Sequence, residues 1–119
     1  MNIYDHAHAL AKAIKVSPEY KSFVKAKEKL DGDSSAKEML TDFRKHQLEL
    51  QKQKFSGIEL APEQEERLNK LMEVINLNMT VKEYLEAEYR FSVMLADIQK
   101  IIGEAMEAIM DMEPEMDPE

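Results

Sequence analysis

Apolar residues recur along this chain in steps of three and four, the period of a helix with one apolar face. Five such segments can be placed. The first covers residues 2–15, with Ile3, Ala7, Leu10 and Ile14 on one stripe. It ends near Val16-Ser17-Pro18. There Ser17 is placed to cap a second helix, and Pro18 to fill its first position, where a missing N–H costs nothing. That helix, 18–31, is predicted to bury Tyr20, Phe23, Val24 and Leu30. Asp31-Gly32-Asp33 is the break, with Gly32 predicted in the left-handed conformation that ends helices. The third segment begins in Ser34-Ser35, where Ser35 and Glu38 have capping-box spacing, and runs to Phe55. Its stripe is Ala36, Leu40, Phe43, Gln47 and Leu50, flanked by Met39 and Leu48, and Gly57 ends it. Pro62 opens a fourth helix over 62–78 carrying Leu68, Leu71, Met72 and Ile75. Thr80 and Glu83 form another capping box, so Asn78-Met79 is a kink or a break before a fifth helix over 80–112.

Length decides what the fifth segment can do. At 1.5 Å per residue it would be roughly 50 Å long, whereas a compact domain of this size is on the order of 35 Å across. It should therefore project beyond the body of one subunit while still carrying an apolar stripe, the mark of a partner interface. Four-three spacing favours a coiled-coil-like bundle. The pattern thus predicts an all-α fold: an antiparallel bundle of about five helices with one very long C-terminal helix. Residues 1–112 form a single helical domain and 113–119 an acidic tail closed by Pro114 and Pro118. A homodimer or higher oligomer is expected, joined through Phe43 and Leu50 of the third helix and Phe91, Leu95, Ile98, Ile102 and Ile109 of the fifth.

One polar residue interrupts the long stripe. Between Tyr84 and Phe91 stands Glu88. A lone buried carboxylate is very costly, so it is paired, neutralised or wet. The middle of the third helix offers His46 and Gln47 on or beside its stripe, with Arg44 adjacent, and Arg90 is a local alternative. These five residues make a candidate buried polar seam, of the kind that fixes register and oligomer state.

Composition narrows the chemistry. Only three glycines and four prolines occur in 119 residues, leaving little material for sheets and tight turns. The absence of cysteine removes disulfides, thiolate metal sites and a Cys nucleophile together, and fits a reducing cytosol. No signal-peptide core or apolar run of about 20 residues is visible, so a cytoplasmic protein without membrane insertion is expected. The net charge of −8 is unevenly placed: residues 1–56 carry +3 and residues 57–119 carry −11, which suggests attraction between the halves, within one chain or between two. So acidic a chain does not favour nucleic acid as a partner.

Catalytic and metal patterns are weak. His6 and His8 lie about 200° apart on a helix and cannot share an ion. No Glu-X-X-His occurs, as a di-metal bundle would require. Ser92 lacks a nucleophile elbow, and Gly32, Gly57 and Gly103 stand alone rather than in a phosphate loop. No catalytic, cofactor-binding or metal residue is assigned and no cofactor is expected. Lys12, Lys15, Lys21, Lys25, Lys27 and Lys29 form a basic patch. It is either a solvated face or a docking surface for an acidic partner or for the acidic tail, with Lys21, Lys25 and Lys29 as its candidate centre. Interleaved aromatics for base stacking are missing from it. Methionines 94, 106, 110, 112 and 116 cluster late, as core filling or as an adaptable contact surface.

The order of these parts carries a resemblance. An N-terminal helix is followed by SPEYKSFVKAKEKLDGD, the Phe43-to-Gln47 region, FSGIELAPEQEERLNKLMEVI and VKEYLEAEYRFSVMLADIQKIIGEAM. Together they resemble the YlbF/YmcA family of small bacterial helical proteins over nearly the whole chain, and most of all a branch apart from its best-studied regulators. The resemblance implies a helical fold, a dimer or larger oligomer, and a cytosolic adaptor role in competence, sporulation or biofilm development. It also implies work with an endoribonuclease that matures messenger RNAs. Some members hold an iron–sulfur cluster through cysteines, which this chain lacks, so that cofactor does not carry over and the ribonuclease-linked role is in doubt. The function expected is a non-enzymatic protein–protein adaptor that binds itself and another cytosolic protein. The alternatives are an RNA-associated regulatory factor using the lysine patch and an enzyme using Glu88.

Overall fold

A computed structural model describes residues 2–110, which form six helices: α1 (Ile3–Lys15), α2 (Pro18–Asp31), α3 (Ser34–Phe55), α4 (Pro62–Leu77), α5 (Met79–Glu104) and the single turn α6 (Glu107–Met110). The fold is all-α. Local chemistry sets the helix starts, because the first backbone N–H groups of each need an acceptor. Asn2 caps α1 through Tyr4 N at 2.9 Å, and Ser17 caps α2 through Tyr20 N at 3.2 Å, with Pro18 in the first turn. At α4 the Gln64 side chain accepts from Ala61 N at 2.9 Å behind Pro62.

Two caps differ from expectation. Asp33 rather than Ser35 caps α3, accepting from Ala36 N at 3.1 Å. Asn78 rather than Thr80 caps α5, accepting from Val81 N at 3.0 Å, so α4 and α5 are separated by a true break. Gly32 is right-handed (φ −81°), not left-handed, and still ends α2. Gly57 does take positive φ, 76°, letting Ile58 N close α3 onto Gln53 O at 2.9 Å.

Helix α2 lies antiparallel against α5. Tyr20 stands 6.1 Å from Phe91 between ring centroids, Phe23 is 5.4 Å from Tyr84, and Lys29 reaches Glu83 further on. Small residues, Ala26 and Ala87, are buried along this contact and let the helices approach closely. Helices α3 and α4 form an antiparallel hairpin whose root packs on α2 and α5. The core joins Leu30, Leu40, Phe43, Ile75, Val81 and Tyr84 from four helices, with the alanines between them. Val24, expected inside, is 40% exposed, and Met72 is also exposed, because each looks away from the single seam its helix makes.

The molecule is flat. It measures 53 × 46 × 15 Å with a radius of gyration of 19.8 Å, against about 13–14 Å for a compact domain of this length. A layer about one helix thick can bury only one stripe per helix. Helix α1 packs appreciably only on α2; its Ile3 and Tyr4, and Val16 just beyond its end, are 62–75% exposed. The last helix is shorter than expected: α5 stops at Glu104, about 39 Å from its start. Gly103 weakens its last turn, and Glu104 sits at the C-terminal end, where the helix dipole disfavours an acid, with no basic residue in that turn to offset it. The expected acidic tail, 113–119, lies outside the described residues, as do Met112 and Met116.

Candidate interaction surface

Glu88 sits on α5 where α3 crosses it. Its Oε1 accepts from Arg44 Nη2 at 2.6 Å, joining residues 44 positions apart. The Arg44 guanidinium also lies 5.8 Å over the Tyr84 ring, so it covers the top of the aromatic cluster of Tyr84, Phe23 and Phe91. The hydrogen bond to Glu88 holds the Arg44 pKa above its ordinary value, against the opposing effect of partial burial. The pair is not a buried seam: Glu88 and Arg44 side chains are 30% and 44% exposed. Arg44 reaches Glu88 from its own chain, while Gln47 and Arg90 face solvent and His46 is half-buried without bonding to Glu88. A stripe interrupted by a carboxylate can be served at its edge by a long arginine, so the pair serves as a clasp on the core. Five surface grooves among the described residues, about 270 to 430 Å³, are lined by residues other than Glu88.

The expected interface divides in two. Phe43 and Leu50 are buried inside the single chain, by the α3–α5 and α3–α4 contacts, and are not available to a partner. On α5, Phe91, Leu95 and Ile98 are half-buried, while Ile102 is 51% and Ile109 of α6 61% exposed. Exposure therefore rises steadily along the stripe as α5 leaves α2 behind. The lysine patch is of mixed charge: Lys29 pairs with Glu83 at 3.4 Å and Lys27 with Asp31 at 3.4 Å. Lys25 and Lys29 share a groove with Glu83, Glu86 and Arg90. Lys21 is exposed on α2. His6 and His8 are exposed on α1, and among the described residues no three metal-ligating side chains come together. No described helix is long and apolar enough to cross a membrane.

Sequence reasoning missed two features. Phe55 is 97% exposed at the tip of the α3–α4 hairpin, where a terminal position gives no periodic signal. The Gln53 side-chain oxygen is buried without a hydrogen-bond partner, which spacing could not reveal.

The described residues thus form a flat layer of helices with one clasped seam and exposed apolar edges. Comparison with known proteins gives the family. Residues 3–107 match the family model described as control of competence regulator ComK, YlbF/YmcA. A UPF0342 protein of Symbiobacterium thermophilum is 48% identical over 105 residues, 88% of this chain and 94% of that one. The chain belongs to the YlbF/YmcA family. Among solved structures it is similar to a protein of unknown function (DUF964) from Bacillus stearothermophilus, with TM-score 0.73 and 23% identity over 97% of this chain and 98% of the other. It is also similar to Bacillus subtilis RicA, solved in complex with RicF, with TM-score 0.63 and 20% identity over 91% and 96% of the two chains. Likeness at these identities establishes the shared fold.

Proposed function

We propose that this chain is a non-enzymatic, cytoplasmic adaptor that self-associates and holds a second protein in a regulatory complex. The observation that carries the proposal is the flat helical layer, only 15 Å thick, whose α1 and α5–α6 edges leave long apolar stripes in water. Contiguous exposed apolar surface of that extent marks an interaction site. The family's link to competence control and the RicA structure, solved as a protein complex, support an adaptor role. Lysines already matched to Glu83 and Asp31 favour protein over RNA. Without cysteine, a cluster-dependent role in messenger RNA maturation forms no part of the proposal.

The test combines light scattering on the purified full chain with co-purification from bacterial cytosol and reconstitution of the captured pair. A mass above one 13.8 kDa chain and a stoichiometric complex that survives ribonuclease are expected. A monomer at micromolar concentration, or retention that vanishes with ribonuclease, contradicts the proposal.

A further inference from the structure

Two arms leave the body of the molecule at one end. Helix α1 joins α2 there through Val16 and Ser17, and α5 continues past the start of α2 from Ile98, which shares a groove with Glu19. Cations of three helices gather at this corner. Lys12 and Lys15 stand in the last turn of α1, Lys21 in the first turns of α2 and Lys100 on α5. Each is exposed, and among the described residues none of them is in an ion pair. Glu19 and Asp97 are the acids of the neighbouring groove. Lys27 and Lys29, by contrast, are already held by Asp31 and Glu83, each at 3.4 Å.

Residues 111–119, outside the described residues, read DMEPEMDPE. Acids occupy every odd position, and methionine or proline every even one. That is a period of two, and Pro114 and Pro118 oppose a helix. In an extended chain the pattern gives one acidic edge, with carboxylates about 6–7 Å apart, and one apolar edge. Lys12 and Lys15, three positions apart on a helix, match that spacing at about 5–6 Å between Cβ atoms. Reach agrees. Met110, the end of α6, lies no more than about 18 Å past Ile98, and nine extended residues span about 30 Å. A tail turned back from Met110 therefore passes Lys100, Lys15 and Lys12 and meets Lys21. Lys29, about 40 Å back, is out of reach. Glu104 and Glu107 repel the tail from its own arm.

We infer that the acidic segment 111–119 folds back within its own chain onto the corner of Lys12, Lys15, Lys21 and Lys100, and competes there with acidic segments of other proteins. Exposed ion pairs are individually weak. A short tether holds the acids at a local concentration on the order of mM, so several weak pairs act together and an outside acidic segment has to displace the tail. Val16, 62% exposed beside Lys15, offers apolar surface to the methionine edge. The contact does not depend on self-association of the chain.

The chain has no cysteine, so a nitroxide on full-length Pro118→Cys reports the position of the tail alone. In isotope-labelled, nitroxide-bearing protein diluted into unlabelled chain, amides of residues 12–21 and Lys100 should broaden, and those of the α3–α4 hairpin should not. The broadening should be lost at about 1 M salt, where the screening length is about 3 Å. It should also be lost in Lys12→Glu/Lys15→Glu/Lys21→Glu and persist in Lys54→Glu, which lies on the hairpin. A synthetic DMEPEMDPE peptide should shift the same amides at several-fold lower concentration when the tail acids of the full-length chain are replaced by Asn and Gln. Absent broadening, broadening centred on Lys29 or the hairpin, or broadening seen only when the nitroxide sits on a separate chain overturns the fold-back. Equal peptide binding by neutralised and unmutated tails overturns the competition. Neither result touches the adaptor proposal, which light scattering and co-purification test separately.

Discussion

The centre of the molecule and its arms are written in the same residues and the same period, yet they end in opposite environments. Leu40, Ile75 and Val81 are 0–5% exposed, whereas Ile101, Ile102 and Ile109 are 51–67% exposed. What differs is whether another element of the chain lies within reach. At the centre α2, α3 and α5 meet; at the arms no other helix among the described residues follows them out. Helical periodicity reports that a face wants covering, and only topology decides whether the cover is internal or a second molecule.

The sharpest contrast is between two truncations. Leu40→Ala should destabilise the monomer by about 3 kcal/mol, through lost burial and the cavity left behind. Ile101→Ala should change monomer stability by less than about 0.5 kcal/mol. Urea unfolding at low protein concentration measures both, and equal costs would erase the distinction between centre and arms. Next in size is Ala87→Leu. Ala87 is 1% exposed where α2 and α5 approach, so the added atoms should cost about 1–3 kcal/mol. A neutral outcome would mean that this contact is looser than its alanines indicate.

Smaller effects sharpen the boundary. The Arg44–Glu88 clasp is partly exposed, so a double-mutant cycle with Arg44→Met and Glu88→Gln should give a coupling of only about 0.5–1 kcal/mol, shrinking in high salt. A salt-insensitive coupling of several kcal/mol would instead mark a desolvated pair. Smallest of all is the turn between α2 and α3. Hydrogen bonding from Lys37 at 3.2 Å, together with the charge of Lys27, holds the Asp31 carboxyl below its ordinary value. A lowered folded value means that its contribution is present above the unfolded pKa of about 3.9 and is lost as pH falls through the folded value. Thermal melts should therefore show Asp31→Asn differing from the unmutated protein at pH 5 and converging with it toward pH 3. No convergence would remove Asp31 from the acid response.

How far the sequence reaches follows the range of the physics. Pro18, Pro62 and Ser17 mark helix starts because their effect is confined to one turn. Asp33 and Asn78 were displaced in expectation by Ser35 and Thr80 because both choices satisfy the same orphan N–H groups, and spacing alone does not rank them. Glu88 signalled its need for a partner by interrupting an apolar stripe. Which residue answers was only half legible, since Arg44 and His46 are neighbours in sequence but lie about 200° apart around α3. Phe43 and Leu50 looked like an interface because their stripe is strong, and periodicity carries no record of which surface covers it. The end of α5 was overestimated for a related reason: its apolar spacing continues to Met112, but Gly103 and the C-terminal Glu104 weaken the helix before that point.

Hydrogen–deuterium exchange on the full-length protein, followed across a range of concentrations, tests self-association through the arms most directly. Amides of residues 3–15 and 98–110 should gain protection together as concentration rises, while those of α2 and the first half of α5 stay equally protected throughout. Protection in the arms that does not depend on concentration, or a gain confined to the α3–α4 hairpin, would contradict it.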